Sequence, residues 1–163
     1  MEDRKEKEIA YYDEVALRAH SEKEGHFEGF SPLVLGSYQF LYKLAESLCE
    51  RKKVLDYGCG DGWHTQFLAE HAKEVIGIDL SERSLKIAKK VAAHKGVGGK
   101  ARFLNMDCEA LEFPPQSFDV VFDGGTFSSL DFRKAIEEIK RVLKPDGVLV
   151  GIETFGHNPL ANA

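Results

Sequence analysis

Apolar and polar positions follow two different periods along this chain, and the change comes near residue 53. Upstream, apolar residues recur every three or four positions in two stretches, about 4–20 and about 37–50, which predicts two amphipathic helices. The first helix would bury Ile9, Tyr12, Ala16 and Ala19, and the second would bury Phe40, Leu41, Leu44, Ala45 and Leu48. A loop containing glycine and serine, 25–32, separates them.

Downstream of residue 53, short apolar runs alternate with helical patterns. The runs predict five buried strands, at 53–57, 74–79, 101–106, 118–122 and 148–152. One intervening helix would start after the N-cap Ser81, bury Leu85, Ala88 and Ala92, and end near Gly96. Another, about 131–143, would bury Phe132, Ile136, Ile139 and Leu143 and stop at 144–147. Strands that alternate with helices are typical of a parallel α/β sheet.

Length and charge limit the classes of protein to consider. The 163 residues suit one domain, which we divide into a helical N-terminal cap, 1–52, and a main domain, 53–163. The net charge of -5 disfavours a nucleic-acid partner, because such a partner requires a phosphate-neutralising patch. No run approaches the roughly 20 apolar residues of a membrane span, so we expect no membrane partner.

The cysteines and the N-terminus favour a cytoplasmic protein. Cys49, Cys59 and Cys108 are odd in number and form no C-x-x-C pair, so we expect reduced, buried thiols. The first eight residues are densely charged and lack the apolar core of a secretory signal. Six histidines are scattered along the chain, and we assign no carboxylate or thiolate partner at metal-ligand spacing to the closest upstream pair, His20 and His26, so we expect no bound metal.

The most informative segment is the glycine-rich run that follows the first strand. Gly58, Gly60 and Gly62 occupy alternate positions between a strand and a helix, where glycine lets the backbone turn tightly and approach a ligand. The run predicts a nucleotide-like cofactor at the carboxyl ends of the strands. A dinucleotide site would need a small residue where Trp63 stands, and Asp56 before the glycines also argues against NAD or FAD.

Two acids follow at the ends of the next strands. Asp79 ends the second strand about 20 positions after Gly58, where a carboxylate can accept hydrogen bonds from ribose hydroxyls. The alternative for Asp79 is a cap on the helix that begins near Ser81. Asp107 follows the third strand, and its alternative is an ordinary loop residue.

Together these residues resemble the class I S-adenosylmethionine-dependent methyltransferases, whose first motif reads acidic-x-G-x-G-x-G. The resemblance covers residues 53–155 and is closest to the ubiquinone/menaquinone-type, small-molecule branch. It implies a Rossmann-like, doubly wound, mostly parallel α/β sheet with helices on both faces and strand order 3-2-1-4-5. The family sheet has seven strands in the order 3-2-1-4-5-7-6, so strands six and seven are expected to be missing here. The chain would then be a fragment, or the open edge 148–152 would be covered by a second copy or by the N-terminal segment.

The resemblance also assigns roles along the cofactor. It puts Gly58, Cys59 and Gly60 under the methionine and ribose portions of S-adenosylmethionine, while Asp56 fixes the loop or reaches the amino group. Asp79 belongs at the ribose, Asp107 at the adenine amine, and the backbone of Cys108 at an adenine ring nitrogen. Leu80 is counted with them as a cofactor-binding residue.

The residues that follow strand four resemble the segment that, in this family, passes the methyl sulfonium and faces the substrate. Asp123 and Gly124 would line that edge, and Thr126 and Phe127 could face the cofactor or the substrate. The family members that methylate amino groups of nucleic-acid bases carry an Asp or Asn-Pro-Pro-aromatic tetrad here, and its absence disfavours that chemistry.

The resemblance implies methyl transfer from S-adenosylmethionine to a small molecule, with no catalytic base identified. The alternatives are a non-catalytic cofactor-binding or interaction module and a fragment of a larger methyltransferase. An NAD-linked oxidoreductase is disfavoured by Trp63.

Overall fold

A five-stranded parallel sheet forms the centre of the computed structural model, which describes residues 4–7, 9–11, 13–14 and 32–153. The strands are β1 (Lys53–Tyr57), β2 (Glu74–Asp79), β3 (Ala101–Asn105), β4 (Phe118–Asp123) and β5 (Leu143–Gly151). Their order is β3-β2-β1-β4-β5 and every neighbouring pair is parallel, as the sequence predicts. The chain order reverses direction between β1 and β4, and in such sheets the carboxyl ends of the strands form the ligand crevice at that point.

Helices cover both faces of the sheet. They are α1 (Pro32–Cys49), α2 (Trp63–His71), α3 (Glu82–His94) and α4 (Phe132–Val142), with a short 3-10 helix at Phe127–Ser129. Helices α1, α2 and α3 share one core with Val54 and Val75, whereas α4 shares the other with Leu55 and Ile76. Neighbouring strand residues thus enter opposite cores, because successive side chains of a strand point to opposite faces. The predicted doubly wound architecture is confirmed.

The predicted start of α3 is also confirmed. The Ser81 hydroxyl oxygen accepts a hydrogen bond from the backbone N–H of Ser84 at 3.0 Å, which satisfies one of the free donors of the first turn. Leu85, Ala88 and Ala92 are buried as predicted.

Helix α1 differs from its prediction in its start and in its buried face. It begins at Pro32 rather than near residue 37, and proline is well tolerated in a first helical turn. Leu41 and Ala45 are buried, but Phe40 is 71% exposed and Leu44 is 40% exposed. The apolar stripe is wider than the face that meets the sheet, so its outer half lines a groove beside the end of β5.

Helix α4 and strand β5 also depart from the prediction. The buried residues of α4 are Ala135, Ile139 and Val142, and the predicted core residue Phe132 is instead 57% exposed. Phe132 is the first residue of the helix, where its ring packs edge-on against Phe127. Strand β5 starts at Leu143, so the predicted stop at 144–147 lies within the strand, at a register shift between Phe118 and Val120 of β4.

The structure describes only part of the first predicted helix. Residues 4–7, 9–11 and 13–14 are helical, whereas Tyr12, Ala16, Ala19 and the loop up to residue 31 lie outside the described residues. Residues 154–163 lie outside them as well. In the part of the chain that the structure covers, no helix combines the length and apolar character that a membrane crossing requires.

Candidate cofactor site

The glycine loop lies between β1 and α2 in a conformation that its three glycines permit. Gly58, Gly60 and Gly62 have φ values of 70°, 52° and 83°, in the left-handed region that L side chains rarely adopt. The backbone N–H of Cys59 donates to the Ile78 carbonyl oxygen at 2.8 Å, which ties the loop to β2. The loop is therefore a fixed part of the sheet edge.

Gly58 and Gly60 differ in what surrounds them. A Cβ on Gly58 would lie 2.2 Å from Thr126 Oγ1, whereas a Cβ on Gly60 would meet no atom within 4 Å. The Thr126 hydroxyl donates to the Tyr57 carbonyl oxygen at 3.0 Å, so Thr126 braces the loop from the β4 side. Gly58 thus faces protein, and Gly60 faces open space at the carboxyl edge of the sheet.

We expect Gly58→Ala to destabilise the fold. The added methyl group combines backbone strain with overlap against Thr126, and each of these effects costs about 1–3 kcal/mol. Urea unfolding of the wild type and of Gly58→Ala measures the difference in the free energy of unfolding. Unchanged stability would contradict the close packing of Gly58 on Thr126.

Asp79, at the end of β2, joins the glycine loop to the start of α3. Its Oδ2 accepts from the backbone N–H of Gly60 at 2.9 Å, and its Oδ1 accepts from the N–H of Ser81 at 2.8 Å. Burial raises its pKa, and the two backbone donors act against that shift. The neighbouring Leu80 carbonyl oxygen accepts from Asn105 Nδ2 at 2.8 Å, which joins the ends of β2 and β3.

Asp56 is fully buried in β1, beneath the loop. Its Oδ2 accepts a hydrogen bond from Thr65 of α2, while its Oδ1 has no hydrogen-bond partner among the described residues. Burial raises the pKa of Asp56 to about 7, and the nearby Asp123 and Asp79 raise it further. A buried carboxylate oxygen without a partner is suited to a cationic group.

Asp123 ends β4 on the other side of the crevice. Its side chain accepts from the backbone N–H groups of Thr126 and Gly125, at 3.1 and 3.3 Å. Burial raises its pKa to about 7, and the charge of Glu153 contributes. The carboxyl ends of β1, β2 and β4 thus each carry a buried or half-buried acid, and the edge is strongly acidic.

Asp107 and Cys108 follow β3 at the far end of the edge. Asp107 Oδ1 accepts from the backbone N–H of Glu109 at 2.8 Å, and Asp107 Oδ2 accepts from Lys5. The Cys108 carbonyl oxygen accepts from the Tyr57 hydroxyl at 2.6 Å. Cys59 and Cys108 are both free and buried, and burial raises the pKa of each thiol, so both are held as neutral thiols.

The structure adds two groups to this edge that sequence reasoning did not identify as site residues. Glu109 is buried, accepts from the backbone N–H of Asp131 at 2.7 Å and pairs with Arg4. His64 is buried in α2, where its Nδ1 lies 2.8 Å from the Tyr42 hydroxyl oxygen and its ring stacks on Tyr38. Burial raises the pKa of Tyr42, which keeps it a phenol. The sequence signal that could have identified His64 is its position in the first turn of the helix that follows the glycine loop.

The arrangement fits an adenosyl cofactor with a cationic end. The open space above Gly60 can accept a ligand, and the partnerless oxygen of Asp56 can accept a charged donor. Of the sequence-predicted site residues, Asp56, Gly58, Cys59, Gly60, Asp79, Leu80, Asp107, Cys108 and Asp123 all lie at or directly after the carboxyl ends of β1 to β4. Within the described ranges, no group of three or more His, Cys, Asp or Glu residues could hold a metal ion.

Comparisons with known proteins agree with this geometry. Residues 55–151 match a family described as a methyltransferase domain. The uncharacterized methyltransferase YcgJ of Bacillus subtilis is 37% identical over 118 residues, covering 71% of this chain and 45% of that protein. The demethylmenaquinone methyltransferase of Thermus thermophilus is 39% identical over 105 residues, covering 63% of this chain and 47% of that protein.

A solved structure shows the same likeness in three dimensions. The YcgJ crystal structure superposes with a TM-score of 0.68 at 30% identity and covers 76% of this chain and 54% of that chain. The chain spans about half the length of the curated relatives named above. The family match covers more than half of the chain, and the glycine loop and strand order agree with it, so the chain belongs to the class I S-adenosylmethionine-dependent methyltransferases.

Proposed function

We propose that this chain binds S-adenosylmethionine across the carboxyl ends of β3, β2, β1 and β4 and transfers its methyl group to a small-molecule acceptor. The observation that carries the proposal is the glycine loop: Gly60 faces open space while Asp79 holds its backbone N–H. Family membership supports the same cofactor.

Each acid takes a separate part of the cofactor in this proposal. Asp107 and the backbone of Cys108 receive adenine, Asp79 and Leu80 receive the ribose, and Gly58, Cys59 and Gly60 support the chain that leads to the sulfur. Asp56 Oδ1 accepts from the amino group, because it is a buried carboxylate oxygen to which no described residue donates. Asp123 lies at the methyl end, where its negative charge favours a cation.

The bound cofactor supplies a methyl group on a positively charged sulfur, which is already activated for transfer. The protein therefore has to orient acceptor and methyl group and to exclude water. We assign no catalytic base. The acidic edge and the net charge of -5 favour a small acceptor over a nucleic acid.

The proposal has three further parts. It retains the division into a helical cap, 1–52, and a cofactor domain, 53–163. It includes a cytoplasmic location, supported by the three free, buried cysteines. It also includes a polypeptide over the β5 edge, either a second copy or the N-terminal segment, because Val148 and Leu149 are exposed there.

Product formation tests the activity. The purified chain is incubated with methyl-labelled S-adenosylmethionine and a panel of phenol, quinol, amine and carboxylate acceptors. We expect S-adenosylhomocysteine and a labelled acceptor in equal amounts for one acceptor class. Cofactor binding without any turnover across the panel would instead support the non-catalytic module.

The acidic edge also predicts a pH dependence of binding. Asp56 and Asp123 have pKa values of about 7, so each is partly protonated at neutral pH. A bound cation favours the ionised forms, so binding of S-adenosylmethionine should release protons and tighten from pH 6 to 7.5. The affinity should change by no more than about tenfold per pH unit for each carboxyl that ionises on binding.

Calorimetry in buffers of different ionisation enthalpy measures this proton release. S-adenosylhomocysteine, which lacks the sulfonium charge, should release fewer protons, and Asp56→Asn should reduce the release further. Equal affinities at pH 6 and 7.5, with no proton release, would contradict the assignment of these acids to the cationic end.

A further inference from the structure

The helical residues near the N-terminus contact the carboxyl edge of the sheet at the adenosine end of the proposed site. Arg4 pairs with the buried Glu109 and donates through Nη1 to the Ser129 carbonyl oxygen at 2.8 Å. Lys5 pairs with Asp107, and its Nζ lies 3.6 Å from Glu109 Oε2. These contacts join residues 4 and 5 to loops more than 100 positions away in sequence.

A third contact lies beside Asp79. The Ser81 hydroxyl donates to Asp13 Oδ1, and the backbone N–H of the same serine donates to Asp79. Arg4, Lys5 and Asp13 therefore touch the edge after both β2 and β3. They lie against the two strand ends that the proposed function assigns to ribose and adenine.

The contact at Asp107 has a direct chemical consequence. One oxygen of its carboxylate accepts from the Glu109 N–H and the other accepts from the Lys5 ammonium, so both oxygens are already engaged. The exocyclic amine of adenine is a neutral donor, and a hydrogen bond between two charged groups is stronger than one with a neutral donor. An adenine amine would therefore have to share an oxygen of Asp107 with one of these two donors, of which Lys5 is the charged one.

We propose that Lys5 is an internal competitor for the adenine-binding carboxylate, so that Arg4, Lys5 and Asp13 together restrain cofactor binding until Lys5 leaves Asp107. The inference rests on the proposed function, because it takes Asp107 as the adenine acceptor. Arg4 strengthens the restraint, since its pairing with Glu109 holds the adjacent Lys5 over the edge. Partial burial acts to lower the pKa of Lys5, but the hydrogen bond and the charge of Asp107 raise it above its usual value. Lys5 is therefore cationic near neutral pH.

Titration of the full-length chain with S-adenosylhomocysteine tests the competition. Lys5→Gln removes the charge and keeps a polar side chain of similar reach. Because the ion pair is partly exposed, we expect the affinity to increase by about two- to fivefold. Lys7→Gln is the matched control, since it removes the same charge from the same segment, and we expect it to leave the affinity unchanged.

Two further measurements keep the test decisive. Raising the salt concentration from 0.05 to 0.5 M should tighten binding of S-adenosylhomocysteine to the wild type more than to Lys5→Gln, because salt screens the ion pair. Trp63, the single tryptophan of the chain, is partly exposed beside the loop and can report association in stopped-flow fluorescence. Association should be faster for Lys5→Gln.

The outcomes separate this inference from the function on which it rests. Equal or weaker binding by Lys5→Gln, with the ligand still bound by the wild type, would overturn the competition and leave the cofactor site intact. Failure of both proteins to bind S-adenosylhomocysteine while folded would overturn the cofactor site and the competition together. If Lys7→Gln increased the affinity as much as Lys5→Gln does, the effect would come from the net charge of the segment and not from the contact with Asp107. That result would also overturn the competition.

Discussion

Replacing Gly60 with valine is expected to abolish cofactor binding. A Cβ at this position meets no protein atom within 4 Å, so the side chain would fill the space above the loop. Valine at a φ of 52° is also strained, which costs about 1–3 kcal/mol of stability. Titration with S-adenosylhomocysteine and urea unfolding measure the two effects separately.

Gly96 provides a matched control for this substitution. It has a φ of 76° and open space around its Cβ, but it lies after the end of α3 rather than in the loop. Gly96→Val should lose a similar amount of stability and bind the ligand normally. Normal binding by Gly60→Val would remove the loop from the site.

The second large effect is expected for Asp79→Ala. A hydrogen bond to a charged group contributes about 1.5–3 kcal/mol, so the affinity for S-adenosylhomocysteine should fall by about 10- to 150-fold. The same substitution also removes the acceptor for the N–H groups of Gly60 and Ser81. Part of the loss could therefore come from a displaced loop rather than from a lost ribose contact.

A double-mutant cycle separates these two causes. The wild type and Asp79→Ala are each titrated with S-adenosylhomocysteine and with its 2′-deoxy analogue. If Asp79 accepts from the ribose, the analogue should lose affinity for the wild type and lose much less for the variant. Equal losses for both proteins would assign Asp79 to the loop alone.

The strands and the cofactor edge could be predicted because the signals for them are local. A buried parallel strand is a short, continuous apolar run, and the runs at 53–57 and 74–79 coincide with β1 and β2. The acids that end or follow these runs meet at one edge because parallel strands present their carboxyl ends together. For Asp79 the structure shows contacts that the sequence does not reveal, since its two oxygens accept from the loop and from the start of the next helix, and its contact with ribose stays a prediction.

The errors concern properties that depend on distant parts of the chain. Helical periodicity gives a stripe, but the sheet decides which part of the stripe is buried, and this left Phe40 and Phe132 exposed. The pairs of Arg4 and Lys5 with Glu109 and Asp107 join residues more than 100 positions apart, so no local pattern indicates them. The contact of His64 with Tyr42 depends on the packing of α1 against α2, so no local pattern indicates it either.

Calorimetric titration of the purified chain with S-adenosylmethionine, S-adenosylhomocysteine and NAD tests the central claim most directly. The glycine loop, the acidic edge and the bulky Trp63 predict micromolar binding of both adenosyl ligands and no binding of NAD. A folded chain that binds neither adenosyl ligand, or that binds NAD equally well, would contradict the assignment of this edge to S-adenosylmethionine.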